Sequence, residues 1–258
     1  GQFFTNRLVV DFLSEALDPD YQDIILDPAG GSGGFLTGAM RYVRKKILKS
    51  SATNISKQRQ LDKHRTNLFM VEISKRLVKI AKTAMILNGD GHTGMTQGDS
   101  LGKTSDLNER VVARCGPGKP TIILTNPPFA GVGEGRITDP QVLDNFNTGI
   151  RWSTRGGEYF STGERNTEGV PPEMLFFERC LQWIAPGGKI GIVMPKSFLD
   201  TQTYYPARRL LLDSYRLLAV INCHKDTFQP HTGVRTSLLI VERPLQAEDV
   251  GSDYEIFM

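Results

Sequence analysis

The feature that most narrows the possible folds is the stretch Ile24-Ile25-Leu26-Asp27-Pro28-Ala29-Gly30-Gly31-Ser32-Gly33-Gly34-Phe35. Its apolar start reads as a buried strand and its glycines as a tight turn. Leu36, Ala39, Met40, Val43 and Ile47 then form one face of a helix. Glycines at 30, 31, 33 and 34 let backbone come close to a ligand, aiming amide N–H groups and a helix N-terminus at it. The turn is not a Walker-type phosphate loop, because no Lys-Ser/Thr follows it. Gly102-Lys103-Thr104 does not qualify either, since Gln97 stands where that motif's first glycine belongs. Ending the strand on Asp27-Pro28 also departs from the dinucleotide pattern. An acid there suits a ligand carrying an ammonium better than one carrying a pyrophosphate.

The next strand, Leu68-Phe69-Met70-Val71, ends at Glu72. An acid at this place after a glycine turn is the usual arrangement for holding ribose hydroxyls; a charge favourable to the following helix dipole is the plainer reading. That helix is expected to turn Ile73, Leu77, Ile80, Ala84 and Leu87 inward, with Lys75, Arg76, Lys79 and Lys82 outward. The polar residues 50–66 before the strand read as a surface excursion. A short strand at Met95-Thr96-Gln97 leads to Gly98-Asp99-Ser100-Leu101, where Asp99 is placed to accept from the exocyclic amine of a purine, although Gly-Asp is equally a simple turn. Residues 102–120 read as a loop.

Thr121-Ile122-Ile123-Leu124-Thr125 is another buried strand, stopped by Asn126-Pro127-Pro128-Phe129. Neither proline can donate to a sheet ladder. They stiffen the exit and leave the Asn126 amide and the Pro127 carbonyl at the strand's carboxyl end, the edge where open α/β sheets bind ligands. Two rigid acceptors beside an aromatic ring suit a planar NH2 group whose ring stacks on Phe129; an ordinary strand-ending turn is the alternative.

Residues 130–171 are rich in glycine and polar residues and show little periodicity, so they read as a flexible loop on the substrate side, with Trp152, Tyr159 and Phe160 as contacts or as pins. Pro171-Pro172 opens a helix with Met174, Phe177, Leu181 and Ile184 inward. Strands follow at 189–195, 217–222 and 236–242, with a helix at 205–214 and a loop at 228–233. Before all of these, Leu8, Val9, Phe12, Leu13 and Leu17 mark an amphipathic helix capped by Thr5 or Asn6. The alternation predicts a doubly wound, mostly parallel sheet; its last strands, with no long helix between them, form an antiparallel edge.

Totals add only bounds. With 258 residues, 39% of them hydrophobic and 23% charged, the chain can bury one large core. A net charge of +3 permits a nucleic-acid partner without requiring one. Cys115, Cys180 and Cys223 are too scattered for a disulfide framework or a zinc site, so no metal is expected and a reducing, cytoplasmic setting is. No apolar run reaches membrane-spanning length. The chain starts without methionine directly in a strong pattern, which reads as an excerpt of a longer protein.

In this order the motifs resemble the amino-directed DNA methyltransferases that use S-adenosylmethionine, and most of all the modification subunits of type I restriction-modification systems and their N6-adenine relatives. The residues carrying the likeness are Gly1-Gln2-Phe3-Phe4-Thr5, Asp27 to Phe35, Glu72, Asp99 and Asn126-Pro127-Pro128-Phe129, continued by 187–195 and 233–239. The resemblance covers almost the whole chain, as one catalytic domain over residues 1–258 with a Rossmann-like methyltransferase fold.

It implies that Thr5 and the turn from Pro28, Ala29, Gly30, Gly31, Ser32 and Gly33 hold the methionine end of the donor, with Asp27 near its ammonium. Glu72 would take the ribose, and Asp99 with Ser100 the donor's adenine. Asn126 and Pro127 would grip the target amine, and Pro128 and Phe129 would complete the catalytic turn, Phe129 stacking on the base. Phe228 stands where the family often has a second aromatic. Asn6 replaces the family's usual proline after the threonine, which bears on donor affinity. The implied partners are double-stranded DNA with a flipped adenine, a separate specificity subunit and a restriction subunit. N4-cytosine, RNA-amine and protein-glutamine methyl transfer share the Asn-Pro-Pro turn and stay as alternatives, as does a non-catalytic donor-binding assembly subunit. No Pro-Cys nucleophile is present, which disfavours methylation at cytosine C5.

Overall fold

The computed structural model describes residues 5–89, 94–130, 135–156, 158–229, 233–246, 250 and 253–258. Gly1-Gln2-Phe3-Phe4, part of the opening block, lies outside the described residues.

The elements run α1 (Arg7–Leu17), β1 (Ile25–Asp27), α2 (Gly34–Lys49), α3 (Asn54–Arg65), β2 (Leu68–Glu72), α4 (Lys75–Leu87), β3 (Met95–Gln97), α5 (Glu109–Cys115) and β4 (Ile122–Thr125). They continue with α6 (Pro140–Leu143), β5 (Ile150–Arg155), β6 (Glu158–Arg165), α7 (Pro172–Trp183), β7 (Lys189–Pro195), α8 (Ser197–Asp200), α9 (Tyr205–Ser214), β8 (Arg216–Asn222) and β9 (Thr236–Glu242). Seven strands form one sheet in the order β3-β2-β1-β4-β7-β9-β8. The expected doubly wound sheet is therefore present, and the antiparallel edge comes from β9, which runs against both β7 and β8. Strand order reverses between β1 and β4, which pair in parallel through Ile25↔Ile122 and Leu26↔Ile123. Such a switch point opens a crevice at the strands' carboxyl ends.

Both sheet faces are covered, and the strands alternate between two cores. Leu26, Phe69, Val71, Ile123, Ile190 and Ile192 pack with α5, α7 and α9. Ile25, Leu68, Met70, Ile122 and Leu124 pack with α1, α2 and α4 on the other face. Leu13 of α1 is wholly buried there, a contact worth about 1.5–3 kcal/mol relative to exposure. α1 meets α2 at Gly38, where a Cβ would come 2.1 Å from Val10 Cγ1, so any larger residue would force the helices apart. Asn6, not Thr5, caps α1 by accepting from the Leu8 amide.

Four expectations are corrected. Residues 54–65 are a helix, capped by the Thr53 side chain, rather than an irregular excursion. It carries almost no apolar stripe, and only His64 of its residues is buried, so periodicity gave no sign of it. Within 102–120, the seven residues of α5 form a helix capped by Asn108, too short for a periodic signal.

The third correction concerns residues 130–171, of which 131–134 and 157 are not described. They are not a plain loop: β5 and β6 form an antiparallel hairpin, and Ile137 bridges to Val170. Gly156, at φ 62°, lies at the turn, and the Gly-Gly pair there was the available signal. Tyr159 stacks on Tyr205 with centroids 4.1 Å apart, and Trp152 meets the same ring edge-on, so these two aromatics pin the hairpin to α9.

The fourth correction is the rotation of α4. Its buried residues are Leu77, Val78, Ala81 and Met85, whereas Ile73 is 66% and Ile80 40% exposed. No helix among the described residues is long and apolar enough to cross a membrane.

Candidate active site

A cavity of about 480 Å3 lies at the carboxyl edge of the sheet, where the β1, β2, β3 and β4 exits converge. Of the residues singled out from sequence, Pro28, Ala29, Gly31 and Ser32 line it from the first turn, Glu72 from the end of β2, and Asp99 and Ser100 from the turn after β3. Asn126, Pro127 and Pro128 line it from the end of β4. Thr5, Asp27, Gly30, Gly33 and Phe129 do not appear in its wall.

The first turn is built by its own geometry. Gly33 sits at φ 84°, the left-handed region that side chains avoid, and there hands the chain to α2. The Gly31 amide donates to Glu72 Oε2 at 2.9 Å, while Glu72 Oε1 accepts from the Ser74 amide at 2.8 Å. One carboxylate thus ties the turn after β1 to the start of α4. The Ser100 hydroxyl donates to the Pro28 carbonyl at 2.6 Å, and Asp99 Oδ1 accepts from the Leu101 amide. The three loops are cross-linked before any ligand enters.

Asp27 is only 2% exposed. Its Oδ1 accepts from the Thr125 hydroxyl at 2.8 Å and from the Ala29 amide at 3.1 Å, joining the ends of β1 and β4 at the switch point. Burial pushes its carboxyl up to about 7, against the pull of those two hydrogen bonds, with a small further push from the Glu72 charge.

At the end of β4 the Asn126 amide is split between two environments. Its Nδ2 donates to Thr5 Oγ1 at 3.3 Å. Its Oδ1 is shut off from water and has no hydrogen-bond partner among the described residues. A buried carbonyl oxygen left unpaired costs about 1–3 kcal/mol, and such exceptions call for an explanation. Phe129 is half-buried and packs against the core cluster that contains Phe228, and Phe228 itself is buried. Neither ring is offered to the cavity as the chain stands.

Sequence reasoning missed several parts of the site. Ile73, just before α4, and Arg76, Leu77 and Ile80 within it line the cavity beside Glu72. The signal was there, since α4 carries two overlapping apolar stripes, but one was assigned to the core. Glu173, 1% exposed, accepts from the Ala130 amide at 2.9 Å and from the Tyr204 hydroxyl at 2.5 Å, and so holds the exit of the Asn-Pro-Pro-Phe turn. Arg179 is buried on α7 and donates to the Leu101 and Gly102 carbonyls, fixing the loop after Asp99. Both lie in a helix buried nearly all round, where the pattern gives no reason to single out a charge.

Residues 1–257 match the family model for N-6 DNA methylases. The chain belongs to that family. It is 25% identical over 253 residues to the methylase subunit of the type I restriction enzyme EcoEI from Escherichia coli, covering 97% of this chain and 44% of that protein. It is 26% identical over 242 residues to the type II restriction enzyme and methyltransferase RM.BcgI from Heyndrickxia coagulans, covering 93% of this chain and 31% of that one. This N-6 methylase chain thus spans less than half the length of these relatives. Its fold matches the crystal structure of a type I restriction-modification methyltransferase subunit from Streptococcus thermophilus with a TM-score of 0.67, at 19% identity over 94% of this chain and 45% of that one.

Proposed function

We propose that this chain is the catalytic domain of a DNA methyltransferase, residues 1–258 within a longer protein, that moves a methyl group from S-adenosylmethionine to the N6 amine of adenine. The observation that carries the reading is the Asn126 amide oxygen, enclosed and unpaired beside a cavity built from four strand ends.

The cavity's residues fit the donor. Each Glu72 oxygen accepts one backbone N–H and keeps a second lone pair for a ribose hydroxyl. Ile73 and Ile80 give an apolar wall for a purine ring, and Asp99 an acceptor for its exocyclic amine. The turn through Gly31 and Ser32 faces the remaining tail, and the buried Asp27 holds the base of that turn through the Ala29 amide. When bound, the donor supplies an electrophilic sulfonium methyl.

An adenine amine is a weak nucleophile because its lone pair is delocalised into the ring. Asn126 Oδ1 and the Pro127 carbonyl accept its two hydrogens, draw them out of the ring plane and stabilise the positive charge that develops on nitrogen. Pro127 and Pro128 keep this pair rigid, so that positioning contributes much of the rate. The nitrogen would gain the methyl as the donor's sulfur–methyl bond breaks with its electron pair left on sulfur, and would then release one proton to solvent. Because the amine lies inside the duplex, the base must be flipped out to reach the turn. The type I methylase-subunit relatives favour a separate specificity subunit, and a restriction subunit, as partners for this chain.

Nucleoside mass spectrometry on DNA from cells expressing the full-length protein with its neighbouring subunits tests the reading. N6-methyladenine should be present with the wild type and absent with Asn126→Ala. A mark on cytosine N4 alone would move the base assignment; no DNA mark despite donor binding would overturn the reading.

A further inference from the structure

The carboxyl edge of the sheet divides at β4. The donor cavity takes the exits of β3, β2, β1 and β4, and among the described residues nothing from β7, β9 or the turn between their ends lines it. In-line transfer puts the donor's sulfur and the purine on opposite sides of the moving methyl. A base whose amine lies on Asn126 therefore meets the donor on one side. The sugar and phosphates that carry it leave on the other, where β7 ends and β9 begins.

That second half carries two cations side by side. β4 stops at Thr125, level with Ile192, whereas β7 runs on through Val193 and Met194 to Pro195 beside the Asn126 turn. The Lys196 amide donates to the Arg235 carbonyl at 2.8 Å, one step past the pair Pro195↔Thr236. At about 3.3 Å per residue, Lys196 stands roughly 13 Å past the level of Thr125, which leaves room for a base and its sugar. Both residues are exposed, and neither side chain has an ion pair among the described residues. Asp200, the acid of the segment 196–204, lies near Arg208 of α9. Like charges on directly opposed residues are unfavourable, so the fold holds this pair together without a balancing acid.

We infer that Lys196 and Arg235 form a phosphate site for the target strand, holding the phosphates that flank the flipped nucleotide while Asn126 and Pro127 hold its amine. This rests on the N6-amine reading of the cavity and adds to it the residues that grip the DNA backbone. The two side chains are complementary in kind. Arg235 offers a planar fork that matches two oxygens of one phosphate, and Lys196 a compact point charge. Such contacts fix the register and orientation of the strand without reading its sequence.

The test uses the full-length enzyme assembled with its subunits, on duplexes carrying the site it methylates in cells. Lys196→Gln and Arg235→Gln should each flatten the slope of log K for DNA against log salt by about 0.9, with affinity for S-adenosylmethionine unchanged. Lys196→Arg should keep the wild-type slope. Lys79→Gln, which removes an exposed lysine of α4, should also keep it. An uncharged methylphosphonate in place of a phosphate beside the target adenine should weaken binding by the wild type. It should cause no further loss in the variant carrying both Lys196→Gln and Arg235→Gln. Equal loss in both proteins would overturn the inference, as would unchanged slopes in the two single variants. A slope change of the same size in Lys79→Gln would overturn it in favour of a diffuse field, and a matching fall in donor affinity in favour of a structural role. Failure of the underlying reading shows separately, as N6-methyladenine that persists in Asn126→Ala.

Discussion

The Glu72 carboxylate joins two loops that bracket the cavity: its Oε2 accepts from the Gly31 amide at 2.9 Å and its Oε1 from the Ser74 amide at 2.8 Å. The same group suited to a ribose is thus a fastener of the glycine turn. Glu72→Gln should show both roles, since an amide offers one acceptor where the carboxylate offers two, and turns an NH2 on a backbone N–H. We expect stability to fall by about 1–3 kcal/mol and donor affinity to fall about 10-fold or more. Urea unfolding and calorimetric titration with S-adenosylmethionine check this. Unchanged affinity with lowered stability would remove Glu72 from the donor site.

Asp27 gives a pH signature. Its folded value, about 7, lies above the ordinary 3.8, so the folded state keeps a proton that the unfolded chain releases. Its contribution is fully present below about pH 4 and is lost as pH rises to about 7. Asp27→Asn keeps the oxygen that accepts from Thr125 and Ala29 and removes the titration. The difference in unfolding free energy between variant and wild type should therefore shift in favour of Asn between pH 4 and 8, by a few kcal/mol at most. Parallel profiles would contradict the burial argument.

Ile80 and Met85 stand on the same helix with opposite duties. Ile80 lines the cavity and is 40% exposed, while Met85 is fully buried. Ile80→Asp should weaken donor binding with stability changed by about 0.5 kcal/mol or less, as for other exposed sites. Met85→Ala should cost about 2–5 kcal/mol. Equal destabilisation by both would return Ile80 to the core.

Glu173 and Tyr204 make a buried strut behind the Asn-Pro-Pro-Phe turn. Burial, with the adjoining Glu173 carboxylate, pushes the Tyr204 hydroxyl up, so it stays a donor at any working pH. Tyr204→Phe leaves Glu173 with the Ala130 amide alone. Stability should drop by about 1–3 kcal/mol and methyl transfer should slow, while donor binding holds. Differential scanning calorimetry and single-turnover kinetics read these separately. Slower transfer without a stability change would place Tyr204 in contact with substrate instead.

His64 gives the opposite pH effect. It is buried with both ring nitrogens unpartnered among the described residues, and burial lowers it to about 4 from 6.5. Its share of stability is whole above about pH 6.5 and is lost as pH falls toward 4. His64→Phe should flatten the acid limb of a urea-midpoint profile, and an unchanged limb would contradict the burial argument.

The sequence by itself determined the sheet class, the succession of strand ends and the chemistry each carries. Those signals are local: a buried strand needs apolar residues, its exit needs glycine or proline, and an acid or an amide at the exit stays there however the chain packs. The Gly30–Gly34 turn, Glu72, Asp99 and Asn126-Pro127 were legible for this reason. Only the tertiary structure decided which way those groups are committed. The rotation of α4 depends on which of two stripes finds a neighbour, and α2 and the sheet select Val78, Ala81 and Met85. The polar helix at 54–65 exists through its cap and its docking, not through a pattern. The contact of Thr5 with Asn126 and the bridge from Glu72 to Gly31 join residues far apart in the chain. No local propensity encodes such a pairing; it appears when the sheet brings the strand ends to one edge.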